Sequence, residues 1–210
     1  MQKSTILFLI SILFLVASCA TNNLEKGLKS VTLENTVYNV PYFANPEIDY
    51  AYKANISVYG NEMSGIFIAK KINAITHRVV FTTEFGNKLL DFEISETDFK
   101  INSIVDELNR KILINTLKTD FRLLLKNQFL IKQQLEDTEN KVYKSEDGTQ
   151  FNYLFASKTE NKLFKIVHAT KRKEQICINF TSENNTFAEN IIIQHYNIKL
   201  RIELNYLKTN

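Results

Sequence analysis

The polarity of the chain alternates with a period of two over most of its length after residue 47. Tyr50, Tyr52, Ala54, Ile56 and Val58 alternate with small or polar residues, and similar alternation recurs at 63–72, 77–82, 89–94 and 98–102. Alternation over four to eight residues, bounded by turn residues, is typical of strands with one buried face. The sequence therefore predicts five consecutive antiparallel strands joined by short turns.

Between residues 103 and 126 the period changes to about 3.6. Apolar residues recur at three- and four-residue spacings, and Ser103 with Asp106 has the pattern of an N-terminal cap. These features predict one long helix over 103–126, with Asn109 as the place where it could break. Its broad apolar stripe must cover something. The glutamine-rich segment 127–140 is predicted to be a connection.

Strand periodicity then returns to the end of the chain, at 142–145, 151–158, 163–170, 174–181, 188–196 and 199–207. Parity in the later strands predicts inward positions at Ile176, Ile178, Phe180, Leu200, Ile202, Leu204 and Tyr206. An antiparallel sheet of about ten strands curls, and an apolar concave face has to be filled or covered. The predicted fold is therefore mainly β (α+β), a curled antiparallel sheet covered by one long helix.

The first eighteen residues have the pattern of a secretion signal. Lys3 precedes an apolar region of eleven residues at 6–16, interrupted only by Ser11, and the small residues Ala17 and Ser18 precede Cys19. Eleven residues are too few for a spanning helix, which needs about twenty, so cleavage is expected. We predict a signal peptide at 1–18, a tether and a weakly patterned leading segment at 19–46, and the folded domain at 47–210.

The stretch 16–19, Val-Ala-Ser-Cys, resembles the lipobox of bacterial lipoproteins. The resemblance implies that Cys19 becomes the acylated N-terminus, with enough acyl chains for a stable membrane anchor. Ala20 and Thr21 follow Cys19 where an aspartate commonly marks retention in the inner membrane, which implies the outer membrane. No acidic cluster follows, which favours the periplasmic face.

The charge balance excludes one class of partner. The chain has 26 basic and 23 acidic residues, a net charge of +3, so no strong field favours nucleic acid. Short basic runs at 70–71 and 171–173 are expected to keep strand ends solvated, with contact to anionic lipid as the alternative. Cys177 lacks a disulfide partner once Cys19 is acylated, and its pattern is that of a small strand residue.

The sequence shows little sign of catalysis or metal binding. His77, His168 and His195 are spread over three predicted strands, and none belongs to a recognisable catalytic motif. No cluster of His, Cys, Asp and Glu has metal-ligand spacing. Asp91 and Glu93 lie opposite the apolar face of their strand and are expected to be solvated. We therefore predict a protein that is not an enzyme and has no metal site or cofactor.

Two stretches carry a resemblance to a known family. The segment 82–94, T-T-E-F-G-N-K-L-L-D-F-E-I, and the segment 190–204, N-I-I-I-Q-H-Y-N-I-K-L-R-I-E-L, are similar to the LolA/LolB family of lipoprotein-localisation factors. The lipobox points to its membrane-anchored LolB branch. The resemblance implies an unclosed β-barrel with a helical lid around an apolar cavity. That cavity would hold the acyl chains of a lipoprotein in transit, and the protein would deliver them to the outer membrane.

The resemblance also implies partners and one membrane contact. The partners would be the outer membrane, lipoprotein or lipid cargo and a soluble periplasmic LolA-like carrier, and the protein would be a monomer. Family members carry a protruding apolar residue before a glycine, and Phe85 precedes Gly86 here. An apolar residue at a turn is unusual, so Phe85 either folds back as ordinary core or points outward to an apolar partner.

The apolar interior has two interpretations. A filled core would suit a structural or accessory envelope lipoprotein that binds a protein partner. A cavity would suit transport, because burying acyl chains is favourable by about 0.8 kcal/mol per methylene. The residues expected to line such a cavity are Tyr52, Ile56, Val58, Val79, Phe81, Leu90, Phe92, Leu117, Phe121, Ile178 and Phe180.

Overall fold

One antiparallel sheet of 14 strands forms most of the computed structural model, which describes residues 23–208. The strands are β1 (Lys29–Val31), β2 (Val37–Asn39), β3 (Asp49–Val58), β4 (Asn61–Lys71), β5 (His77–Thr82), β6 (Lys88–Ile94), β7 (Phe99–Ile104), β8 (Gln128–Glu136), β9 (Asn140–Asp147), β10 (Gln150–Ser157), β11 (Leu163–Thr170), β12 (Glu174–Thr181), β13 (Asn190–His195) and β14 (Leu200–Tyr206). Helix α1 spans Lys111–Leu124, and short 3-10 turns lie at Asn23–Glu25 and Asp106–Leu108.

The strand order is β1-β8-β9-β10-β11-β12-β13-β14-β3-β4-β5-β6-β7, with β2 beside β8. Among the described residues β1 and β7 remain at the two edges, so the curled sheet is an unclosed barrel. Helix α1 lies over the apolar side of this sheet. Its Phe121 ring stacks on Phe67 of β4 at 5.1 Å and contacts Phe92 of β6 at 5.7 Å between centroids. The predicted fold class is confirmed.

Two of the predicted boundaries are wrong. Ser103 and Ile104 belong to β7, paired with Asp91 and Leu90 of β6, so the capping pattern at Ser103 does not start a helix. Helix α1 begins at Lys111, after the 3-10 turn. The segment expected to be a connection contains β8, in which the buried residues Phe129 and Ile131 alternate with exposed neighbours. The exposed face also carries the apolar Leu130, and Gln128, Gln133 and Gln134 make the segment polar overall, which concealed the alternation.

The leading segment also contributes to the fold. Strands β1 and β2 pair with β8, and residues 40–43, which we call the plug, place Val40, Tyr42 and Phe43 in the core. The Tyr42 hydroxyl donates to the Leu163 carbonyl at 2.7 Å, and Nε2 of His77 donates to the Phe43 carbonyl at 2.8 Å. The predicted signal peptide at 1–18 and Cys19 lie outside the described residues.

A second apolar cluster lies on the outer side of the sheet. It includes Cys177 and Tyr153, and Leu24 and Leu28 of the N-terminal segment pack against it. Glu25 accepts hydrogen bonds from Nζ of Lys144 at 2.6 Å and from the Tyr153 hydroxyl at 2.7 Å. The chain is therefore fixed to the outer wall of the barrel from its first described turn.

Candidate functional site

A cavity of about 810 Å³ lies between α1 and the strands β14, β3, β4, β5 and β6. Its volume is in the usual range for small-molecule sites, about 300–1,000 Å³. The side chains that line it from the sheet are Ala54, Ile56, Val58, Met63, Phe67, Val79, Phe81, Leu90, Phe92, Leu200, Ile202 and Leu204, and those from the inner face of α1 include Leu113, Leu117 and Phe121.

The strands expose these side chains because every second residue faces the same side of a sheet. The strand register places the apolar side chains of neighbouring strands next to each other: Ile202 pairs with Ile56, and Phe67 pairs with Phe81. Gly65 allows β4 to approach β5 closely at this point, because a Cβ there would overlap the carbonyl oxygen of Thr82 and lie 2.9 Å from the Phe81 ring.

Polarity divides the cavity into an interior and a mouth. The lining residues that are exposed mark the mouth: Tyr59, Asn61, Glu107, Arg110, Lys111 and Ile112. Every charged lining residue belongs to this exposed group, while the buried lining residues are all apolar. These buried apolar walls can exclude water and contact a hydrocarbon chain.

Eight of the eleven predicted lining residues surround the cavity: Ile56, Val58, Val79, Phe81, Leu90, Phe92, Leu117 and Phe121. Tyr52, Ile178 and Phe180 do not. The plug covers this part of the sheet, since Tyr42 stacks on Phe180 at 4.7 Å and Phe43 contacts Tyr52 at 5.8 Å between ring centroids. Ile178 is fully buried in the same core cluster. One half of the barrel is thus filled and the other half is hollow.

Several lining residues were absent from the predicted set. Leu200, Ile202 and Leu204 had been recognised as inward by parity, and the closure of β14 onto β3 brings them to the cavity. Ala54, Met63 and Phe67 belong to the first predicted hairpin, where the alternation already marked one face. Their position in the alternation could have identified them as inward-facing. The sequence does not show which part of that face the plug leaves uncovered.

Phe85 points away from the protein, with 92% of its surface exposed. The turn is held by the Gly86 amide, which donates to the Thr83 carbonyl at 3.0 Å, and by the Asn87 amide, which donates to the Thr83 hydroxyl at 3.1 Å. Gly86 has a φ of 84°, which glycine adopts without strain. Of the two alternatives for Phe85, the structure has the outward one, and its membrane role stays a prediction.

A buried polar pair joins the helix to the sheet. Oδ1 of Asp120 on α1 lies 2.8 Å from Nε2 of His195 on β13, and both side chains are buried. Burial raises the pKa of the Asp120 carboxyl, although the hydrogen bond from His195 opposes the shift. Oδ2 of Asp120 and Nδ1 of His195 have no hydrogen-bond partner among the described residues.

The expectation that Asp91 is solvated is wrong. Its side chain is buried on the outer face of the sheet, where the Arg78 guanidinium donates two hydrogen bonds at 2.7 and 3.0 Å and Lys88 donates a third at 2.8 Å. These bonds, chiefly those from Arg78, hold the pKa of Asp91 well below its usual range. Alternation placed Asp91 on the correct face, but long cationic side chains from β5 and β6 cover it.

Comparison with known proteins identifies the fold. A LolA superfamily protein from Nitrosomonas europaea aligns with a TM-score of 0.51 and 10% identity, over 80% of this chain and 88% of that one. A DUF1329 family protein from Desulfovibrio piger (TM-score 0.41, 8% identity, 76% and 84% covered) is less similar. So is a domain assigned to outer-membrane lipoprotein sorting from Vibrio parahaemolyticus (0.47, 8%, 76% and 82%).

No protein-family model and no curated protein matches the sequence. The match to the Nitrosomonas protein instead shows that the barrel with its helical lid has a LolA-like fold. It shows the fold and nothing further. Within residues 23–208 no helix is both long and apolar enough to cross a membrane. The same residues contain no group of three or more His, Cys, Asp and Glu side chains able to hold a metal ion.

Proposed function

We propose that this protein binds the acyl chains of a lipoprotein or lipid in the cavity beneath α1 and delivers them to the outer membrane without catalysis. The observation that carries the proposal is a hollow of about 810 Å³ whose buried walls are entirely apolar. An apolar cavity of this size favours a ligand that water solvates poorly, because each methylene moved out of water contributes about 0.8 kcal/mol.

The proposed cellular setting follows from the N-terminus. Acylated Cys19 would hold the protein on the outer membrane, facing the periplasm, and a soluble LolA-like carrier would bring the cargo. Phe85 would enter the bilayer during delivery, since its exposed ring lies at the tip of the β5–β6 turn and has no core contact to lose. In this proposal the protein works as a monomer, because one chain provides the complete cavity.

A titration tests cargo binding directly. The chain from residue 20 onward, which contains every residue that the structure describes, is titrated with a fluorescent fatty acid. Ala54→Phe would place a ring inside the cavity and displace at least four methylenes, about 3 kcal/mol, so affinity should fall roughly 100-fold. Ala51→Phe is the matched control, because Ala51 lies on the same strand but faces the other side of the sheet.

The result decides between the two interpretations of the interior. Saturable binding that Ala54→Phe weakens and Ala51→Phe leaves intact supports cargo binding in this cavity. Absence of saturable binding to the wild-type chain would remove the transport function. The accessory envelope lipoprotein would then be favoured, and the observation that supports it is the half of the barrel that the plug already fills.

Delivery needs a separate assay. Transfer of a fluorescent acylated peptide to liposomes is compared for wild type, Phe85→Glu and Ile75→Glu. Ile75 is a suitable control because it is 70% exposed in the β4–β5 turn, at the other end of the strands. Phe85→Glu should slow transfer while fatty-acid binding in solution persists. Normal transfer by a folded Phe85→Glu variant would show that Phe85 has no part in delivery.

A further inference from the structure

The mouth of the cavity shares one end of the sheet with several exposed apolar side chains. These are Tyr59 in the β3–β4 turn, Phe85 in the β5–β6 turn, Ile112 at the start of α1 and Tyr196 after β13. We propose that this end, the mouth rim, docks on an anionic lipid surface with the cavity opening towards the bilayer. Tyr59 and Ile112 then enter the lipid beside Phe85.

Strand pairing brings these elements to one end. Antiparallel neighbours alternate in direction, so the β3–β4, β5–β6 and β13–β14 turns and the residues after β7 all lie on the same side. Backbone bonds connect the adjacent turns: the Tyr59 amide donates to the Lys199 carbonyl, and the Tyr196 amide donates to the Gln175 carbonyl, both at 2.9 Å. The β11–β12 turn is therefore part of the same rim.

Tyr59 and Ile112 belong both to the cavity wall and to the exposed surface. Both line the cavity, yet Tyr59 is 65% exposed and Ile112 is 83% exposed. Ile112 stands at the end of the apolar stripe of α1, where the stripe passes from the cavity into solvent. A continuous apolar path from a cavity to the outside is unfavourable in water and favourable against lipid. It would also let an acyl chain move between cavity and bilayer without crossing water.

The charges of the rim complement an anionic surface. Six basic residues lie in its turns and at the helix start, and none has a carboxylate within 4.0 Å among the described residues: Arg110, Lys111, Lys171, Arg172, Lys173 and Lys199. Four acidic residues with no ion pair among the described residues accompany them, Glu62, Asp106, Glu107 and Glu174, and a fifth, Glu84 in the β5–β6 turn, is paired with Lys53 at 3.1 Å. The β12–β13 loop at the opposite end carries Glu183 and Glu189 and no basic residue.

The start of α1 also carries an unusual amount of positive charge. It has no side-chain cap and no acidic residue in its first turn, and Arg110 and Lys111 add positive charge to the positive end of the helix dipole. This arrangement is unfavourable in isolation and becomes favourable beside lipid phosphates. Each basic residue near an anionic surface strengthens binding about fivefold. This docking proposal depends on the proposed function in one respect, namely that the cavity holds acyl chains.

The absence of tryptophan from the sequence makes a direct test possible. Single variants Ile112→Trp, Tyr59→Trp, Phe85→Trp and Ile75→Trp are made in the chain from residue 20 onward. Each is mixed with vesicles of phosphatidylcholine containing about 30% phosphatidylglycerol, with and without brominated acyl chains. The first three should show blue-shifted emission and bromine quenching. Ile75→Trp, at an exposed site on the opposite end, should show neither.

Three outcomes overturn the proposal: equal quenching at position 75, quenching at position 85 alone, or quenching at none of the four positions. The last would leave the rim as a surface for a protein partner. In the Ile112→Trp background, Lys171→Ser, Arg172→Ser and Lys173→Ser together should weaken vesicle binding by roughly 100-fold at low salt and much less at high salt. The fatty-acid titration contains no membrane, so it separates failure of docking from failure of cargo binding.

Discussion

Replacing Asp120 with asparagine should make the protein more stable, and increasingly so as the pH rises. Asp120 is the buried acidic group that joins α1 to β13 through His195, over 2.8 Å. Burial raises its pKa, so the carboxyl resists ionisation in the fold while it ionises freely in the unfolded chain. An asparagine keeps the shape and can donate to Nε2 of His195 without a charge to bury.

The sign follows from proton linkage. Above the ordinary aspartate pKa of about 3.9 the unfolded state binds fewer protons at this site than the folded state, so rising pH reduces stability. The loss is at most about 1.4 kcal/mol per pH unit and stops once pH passes the raised pKa. Asp120→Asn removes this loss. Asp120→Ala instead leaves His195 buried without its partner, which costs about 1–3 kcal/mol, roughly 3–10 °C in Tm.

Urea unfolding followed by circular dichroism between pH 4 and 8 measures the effect. The free energy of unfolding of Asp120→Asn should be similar to that of wild type at pH 4 and should exceed it progressively towards pH 8. Asp106→Asn is the matched control, because Asp106 is exposed in the turn before α1 and should show a difference below about 0.5 kcal/mol at every pH. A stability deficit of Asp120→Asn that grows with pH would refute this reasoning and identify a favourable ionised pair.

Other substitutions probe the outer face, the plug and the close approach of β4 to β5. Asp91→Ala should lower the free energy of unfolding at pH 7, measured by urea unfolding, because Arg78 and Lys88 lose their shared acceptor; the lowered pKa makes this contribution disappear in strong acid, so a deficit that persists unchanged there would contradict it. Phe43→Ala should lower the free energy of unfolding by about 3–5 kcal/mol, measured by urea unfolding, since its ring is fully buried; a loss below about 1 kcal/mol would mean that the plug is not part of the core. Gly65→Ala should lower Tm because the added Cβ meets the Thr82 carbonyl, and an unchanged Tm would show that β4 can move away.

The sequence was informative where the pattern is local. Alternation marked the strands that contribute most of the cavity wall, and the wide helical stripe correctly indicated an element lying over the sheet. Ile56 and Phe92 could be assigned to the inner face because parity depends only on the strand to which they belong. The turn at Gly86 was also recognisable from its residues, together with the unusual phenylalanine in front of it.

The errors arise where a distant segment decides the outcome. Phe180 and Tyr52 were expected to contact cargo, but residues 40–43 fill that half of the barrel, and their polar, proline-containing surroundings gave no periodic signal. Strand β8 is stabilised by pairing with β1, β2 and β9, and its own composition does not predict a strand. Asp91 is buried by cations whose positions depend on the β5–β6 register.

The contact of Glu25 with Lys144 and Tyr153 sets a geometric limit on how the protein can work. If Cys19 holds the acyl chains, only four residues lie between it and Leu24, which packs on the outer wall, so five residue steps join the two. A fully extended chain covers about 3.5 Å per residue, so that leash is at most roughly 18 Å long. The barrel could pivot above its membrane but could not travel away from it. Such confinement keeps the effective concentration of lipid high, so weak contacts at the rim would suffice for docking, and cargo would have to arrive by a diffusible carrier.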